Sequence, residues 1–327
     1  MAGPARRRQP PHAALCARGA AARHDRALGT TVPAGAPPAR AGRLPAPIAL
    51  AAGQAPAGDV PAFPAHAPSA GDLSRHEQIP HRTSHEERDM RYLDFEALER
   101  LDARAFQEQH PYPWANPAGL LTAEGYAALR DSLPSAERFT EVVGKVRRYG
   151  QQSHDRLALE YAPGLELSPH WQAFLDELNG PRYRQFLTRM LGTRAFRLRY
   201  HWHYTPAGCS VSPHCDAREK LGSHIFYFNT EDDWQAEWGG QTLVLDDGGR
   251  FDSKSAPAFE DFERIIESRA LGNHSFLFCR RGNSWHGVRE LTCPPDHYRK
   301  VFIVVIDEHR PLKQLSRRIK RLFGRVA

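Results

Sequence analysis

The chain has 327 residues, a formal net charge of +6 and 41% hydrophobic side chains, which is enough to bury a sizeable core. No run approaches the ~20 apolar residues of a membrane-spanning helix. The basicity sits at the ends: residues 1–89 carry +4 and residues 310–327 carry +7, so the stretch between them carries −5. That distribution lacks the basic face of a nucleic-acid-binding domain, and no nucleic-acid partner is expected.

Residues 1–88 hold 13 of the 26 prolines in irregular Ala/Pro/Arg-rich order. A segment of this kind cannot bury enough apolar surface to offset its ordering entropy, so a disordered tail is expected. Its arginines are not followed by the apolar run of a secretory signal. The five cysteines, Cys16, Cys209, Cys215, Cys279 and Cys293, show no regular spacing, and the expectation is a reduced, cytoplasmic protein.

Residues 90–194 read as mainly helical. "YLDFEALERLDARAF" carries apolar residues at helical spacing. Thr122 can cap a helix that Pro134 stops, and Ser168 can cap another that opens on Pro169 and ends before Gly180. "PRYRQFLTRMLG" supplies one more.

From 195 the texture changes. "FRLRYHWHY", "SHIFYFN", "GGQTLVL", "HSFLFCR", "WHGVREL" and "RKVFIVVI" are short aromatic and β-branched runs separated by turn residues. Strands at this spacing indicate an antiparallel sandwich or barrel rather than βαβ units. A long insertion at 247–272 carries a predicted short helix at 259–268. Long insertions of this kind tend to serve function. The C-terminal "PLKQLSRRIKRLFGRV" places Leu312, Leu315, Ile319 and Leu322 on one stripe of a basic amphipathic helix over 311–327. That helix can dock on the acidic body or make peripheral contact with an anionic membrane.

Within the β region, "SPHCD" sets His214 and Asp216 two positions apart at a strand mouth. Alternation gives the two one face and turns Cys215 to the other, as packing. Two His and one carboxylate on one face would suit non-haem Fe(II) and leave coordination positions open. His224, His274, His286 and His297 are the downstream candidates for the third ligand. His286 fits best, because it opens a strand after the tight "RRGN" turn and so returns to the same mouth. Arg299 enters the last strand, where a buried guanidinium fork suits bidentate capture of a carboxylate. Tyr204 and Tyr227 can each add a phenol donor. The bland alternative for each of these residues is a hydrogen-bonded polar group at a strand end.

Together these residues carry a resemblance. "YTPAGCSVSPHCD", "SHIFYFN", "WGGQTLVL", "NHSFLFCRRGNSWHGV" and "YRKVFIVV" are similar, over roughly 195–306, to the Fe(II)- and 2-oxoglutarate-dependent dioxygenase superfamily in its prolyl 4-hydroxylase-like branch. The resemblance implies a mainly β, α+β fold: a double-stranded β-helix (jelly-roll, cupin-like) core over 195–306 with helical support at 90–194, in one catalytic domain over 90–310. It assigns iron to His214, Asp216 and His286, the 2-oxoglutarate carboxylate to Arg299, and contacts in the same pocket to Tyr204 and Tyr227. It also implies O2 as oxidant, ascorbate as an accessory reductant, and release of succinate and CO2.

The sequence departs from the family pattern at Val301, where a small or hydroxylated residue often follows the anchor. Lys300 would be the anchor if the register slipped by one, but parity favours Arg299, with Val301, Ile303 and Val305 on its face. The Asp216 carboxylate argues for hydroxylation or desaturation rather than halogenation. Trp202, Trp234, Trp238 and Trp285 cluster about the expected mouth, as substrate lining or as barrel packing. The acids of "NTEDDWQAEWGG" and "FEDFERIIE" would make an acidic entrance that suits a basic substrate, or else are solvated loops. The substrate is either a small biosynthetic molecule or a polypeptide prolyl or other side chain. Outside the oxygenase class, a cupin-like metal-binding module competes.

Overall fold

The computed structural model describes residues 90–309 except 146 and 153; the tail over 1–88 and the helix expected over 311–327 lie outside the described residues. The helices are α1 (Phe95–Arg100), α2 (Ala103–Gln107), α3 (Ala123–Asp131), α4 (Pro169–Asn179) and α5 (Pro181–Leu191). Asp94 and Asp102 each cap a short helix by accepting backbone N–H bonds, which is why the periodic run 92–106 breaks into two. Thr122 and Ser168 cap α3 and α4 in the same way, and Gly192 ends α5 in a left-handed conformation.

The strands are β1 (Trp114–Ala115), β2 (Thr140–Val142), β3 (Arg156–Glu160), β4 (Phe196–Pro206), β5 (Val211–His214), β6 (Lys220–Tyr227), β7 (Leu243–Asp246), β8 (Arg264–Glu267), β9 (Ser275–Cys279), β10 (His286–Val288) and β11 (Tyr298–Glu308). They form two antiparallel sheets, β1-β9-β6-β11-β4-β3-β2 and β5-β10-β7-β8. The inner faces pack on each other, with Val244 of the small sheet against Tyr227, Phe276 and Val301 of the large one. This is the jelly-roll arrangement, with the helices on the outer face of the large sheet.

That outer face explains why β11 reads as a continuous apolar run rather than an alternating one. Its even positions Phe302, Val304 and Ile306 meet the helical layer, where Trp171 of α4 packs on Phe302 at 5.0 Å and on Trp202 at 5.1 Å. The odd positions turn inward. The same parity runs along β4: Tyr200 and Trp202 join the helices, while His201, His203 and Thr205 face the interior.

Two expectations are corrected. Residues 90–194 are not all helical, because β2 and β3 extend the large sheet through β4. The helix expected at 259–268 is a single 3-10 turn at Phe259–Asp261 followed by β8, which pairs with β7. Phe262 and Phe251 from this insertion pack on Trp285 and cover the outer face of the small sheet, and Cys215 packs there too. Isoleucines side by side in "RIIE" suit a short ladder against Val244 and Leu245 better than a helical stripe.

Candidate metal centre and anion pocket

The centre of the small sheet sets the first two groups. β10 lies between β5 and β7, and its register puts His286 directly opposite His214. Their rings lie 4.3 Å apart. Each Nδ1 sits 3.0 Å from the carbonyl oxygen two residues earlier, of Ser212 for His214 and of Ser284 for His286. A carbonyl can only accept, so Nδ1 carries the proton and Nε2 keeps its lone pair. Burial, before any neighbouring charge, holds both imidazoles below their ordinary pKa and so neutral.

Asp216 completes the group just beyond β5. Potential ligand atoms of His214, Asp216 and His286 all lie within 4.8 Å of one another. Burial alone would raise the carboxyl pKa, but the Lys220 ammonium, 2.8 Å from Oδ1, outweighs it by charge and hydrogen bond and holds Asp216 well below the usual carboxylate range. Arg280 Nε fixes the backbone by donating to the Asp216 carbonyl at 2.7 Å. Two neutral imidazole lone pairs and one carboxylate, buried and convergent, are a donor set that suits divalent iron.

These groups open onto a cavity of about 270 Å³ between the sheets. Arg299 lines it at the start of β11 and is 7% exposed. Its Nε donates to the Gly240 carbonyl at 2.6 Å and its Nη2 to Thr242 Oγ1 at 3.3 Å, over the Tyr227 ring at 5.6 Å. No carboxylate neutralises it among the described residues, and burial lowers its pKa. Gly240 makes the approach possible: its φ is +100°, and a Cβ there would meet Arg299 Cδ at 3.3 Å. The "WGG" stretch thus lets the main chain close on the guanidinium. Lys300 points away, pairing with Asp233 at 2.8 Å.

Tyr227 stands beside Arg299 on the inner face, and its hydroxyl donates to Thr242 Oγ1 at 2.7 Å. Tyr204 is not brought to the site. It lies on the outer face of β4, stacked on Phe139 at 4.2 Å, and its hydroxyl donates to the Pro134 carbonyl at 2.8 Å. The resemblance assigned it to the pocket, but strand parity turns it away and offers His203 and Thr205 instead.

The tryptophans are also redirected. Trp202 is wholly buried under the helices. Trp234 and Trp238 pack on each other at 5.5 Å, with Trp238 on His297 at 4.9 Å, and neither lines the cavity. Other histidines find local partners: His224 bonds Tyr183 at 2.9 Å, and His274 donates to the Leu271 carbonyl at 2.7 Å. Nor is the entrance acidic. Asp232 pairs with Arg130, Asp233 with Lys300 and Glu260 with Arg289.

Sequence reasoning missed three groups beside the centre. His154 packs on His214 at 4.5 Å and reaches Ser212 Oγ at 3.2 Å, with its pKa pushed down to about 2 by burial and then by Arg147 and Arg156. Arg147 and Arg156 line the same cavity. All three come from the segment read as helical support. The sole signal there was three arginines and a histidine in "RRYGQQSHDR" around the start of an alternating run.

No family model matches the chain, and no curated protein matches it. Among solved structures it is similar to a prolyl-4-hydroxylase from Pseudomonas putida, with 18% identity, a TM-score of 0.44, and coverage of 64% of this chain and 99% of that one. A prolyl hydroxylase from Trichoplax adhaerens, solved with a peptide of hypoxia inducible factor, is 10% identical, with a TM-score of 0.46 over 69% of this chain and 94% of that one. The non-heme alpha ketoglutarate dependent epimerase SnoN from nogalamycin biosynthesis is 16% identical, with a TM-score of 0.44 over 67% and 87%.

Proposed function

We propose that the protein is an Fe(II)- and 2-oxoglutarate-dependent oxygenase that hydroxylates its substrate and releases succinate and CO2. The observation that carries this reading is one cavity with two poles: His214, Asp216 and His286 at one, and the buried, unneutralised Arg299 at the other. A buried cation without a counter-charge costs several kcal/mol, on the order of the penalty for an unpaired buried ion, unless an anion joins it. A cupin-like module that only held a metal would gain nothing from Arg299.

His214, Asp216 and His286 would hold the iron, which supplies O2 activation and oxidation of a substrate C–H bond coupled to decarboxylation of the keto acid. The Ser212 and Ser284 carbonyls keep the imidazoles in the metal-binding tautomer. Lys220 keeps Asp216 ionised. Arg299, braced by Gly240, Thr242 and Tyr227, would receive the distal carboxylate of 2-oxoglutarate. Phe278, Ile225, Val288 and Ile303 line the space between and exclude water. Ascorbate would serve as an accessory reductant.

The test needs no substrate. Fe(II) and 2-oxoglutarate are added anaerobically to the full chain and the visible charge-transfer band of the chelate is recorded. The band should appear in the wild type, vanish in His286→Ala, and need far more 2-oxoglutarate in Arg299→Met. A folded wild-type protein without the band would end the oxygenase reading and favour a cupin-like metal-binding module.

A further inference from the structure

Past Asp216 and His154 the cavity opens into an outer recess of about 530 Å³. The two spaces share Arg147, His154, Arg156 and Asp216. The recess is lined by seven Lys and Arg side chains against two carboxylates, Asp216 and Glu219, in a body whose balance is −5. Of those two, Asp216 is already engaged by Lys220.

Arg147 and Arg156 stand at the passage between the spaces. The Nε of each is buried without a hydrogen-bond partner. Arg156 is held by its Nη1, which donates to the His154 carbonyl at 2.7 Å. Neither guanidinium forms an ion pair with a carboxylate among the described residues, and burial lowers the pKa of both, with Arg147 adding to the effect on Arg156 and the more distant Asp216 and Asp155 offsetting only part of it. Two like charges, partly desolvated and short of acceptors, are a costly arrangement when unoccupied and a strong one around an oxyanion. They are separate from Arg299, which lines the inner cavity alone and not the recess.

We propose that Arg147 and Arg156 form a second anion site, which captures a carboxylate or phosphate group of the substrate and so selects an anionic substrate. The placement of the reacting carbon beside His214, Asp216 and His286 rests on the oxygenase reading; the anion site itself does not. Recognition by forked guanidinium groups gives orientation as well as attraction, so the adjoining part of the substrate would be presented to the metal pole in one direction.

The test is calorimetric titration of the full chain with inorganic phosphate and, separately, with acetate. Wild type should bind at least one of them in the millimolar range. Tighter phosphate binding would mark a phosphate ester, and tighter acetate binding a carboxylate. Arg147→Gln and Arg156→Gln should each weaken binding by about tenfold or more, Arg147→Lys by less, and Arg194→Gln, on an exposed distant groove, not at all. Circular dichroism checks that each variant is folded. Binding that is absent in wild type, or unchanged in both Gln variants, would overturn the proposal. So would displacement of 2-oxoglutarate by phosphate that Arg147→Gln and Arg156→Gln abolish, because it would put the cosubstrate at these arginines. Anion binding that depends on Arg147 in a protein without the chelate band would sink the oxygenase reading and leave the anion site standing.

Discussion

Replacing Arg299 with Met separates what the fold needs from what the cosubstrate needs. The variant loses the 2.6 Å bond to the Gly240 carbonyl and the 3.3 Å bond to Thr242 Oγ1. Thr242 Oγ1 keeps the Tyr227 hydroxyl as donor, so only the Gly240 carbonyl is orphaned, at a cost of about 1–3 kcal/mol. Against this, the substitution removes a desolvated cation, and such replacements are often neutral or stabilising by about 1–4 kcal/mol. The two effects largely cancel, and the melting temperature of the unliganded protein should move by less than about 5 °C. Affinity for 2-oxoglutarate has no such compensation. Loss of a buried charge-assisted fork costs about 2–4 kcal/mol, or about 30- to 1000-fold. Thermal melting of the apo-protein and anaerobic titration of the Fe(II) complex read the two quantities independently. A variant that binds 2-oxoglutarate within about threefold of wild type, or that melts more than about 10 °C lower without ligand, would refute the argument and make Arg299 a structural strut.

Tyr204→Phe leaves the Pro134 carbonyl without its donor and should destabilise by about 1–3 kcal/mol while 2-oxoglutarate affinity stays unchanged; weaker cosubstrate binding would return Tyr204 to the pocket. Gly240→Ala forces a side chain into φ +100° and against Arg299, and should cost about 1–3 kcal/mol in denaturant unfolding and weaken 2-oxoglutarate as well. Burial pushes the pKa of His224 down to about 3. Unfolded chains take up its proton below about pH 6.5 and the folded protein does not, so stability falls as pH drops from about 6.5 to 3, at about 1.4 kcal/mol per pH unit for this one group. His224→Gln should flatten the measured slope between about pH 6.5 and 5 by one proton, and an unchanged slope would contradict the assignment.

Alternation carried most of what the sequence revealed. It separated Arg299 from Lys300, because β11 is long and buried on both faces, and its register with β4 runs unbroken from Tyr298 through the arginine to Glu308. The same rule would have excluded Tyr204, since Trp202 and Tyr200 share its parity and both pack on helices. Assigning Tyr204 to the pocket through the resemblance ignored that constraint. β2 and β3 were illegible for a different reason. Their inner face carries Arg156 and leads to a polar recess, so the apolar face of "RLALE" is the one turned to the outer layer, and two short strands gave no helix-versus-strand contrast. Charge read along the chain misled at the entrance. Asp232 and Asp233 are tied to Arg130 and Lys300, whereas the cations that line the recess come from other segments of the chain.

The pairing of His286 with His214 across neighbouring strands has a dynamic consequence. An ion bound to both rings would tie the end of β5 to the start of β10 through two side chains, so that bound metal would hold this end of the ladder closed. Amide hydrogens of Val211–His214 and His286–Val288 should exchange more slowly as metal is added, while those of the helical layer stay unaffected.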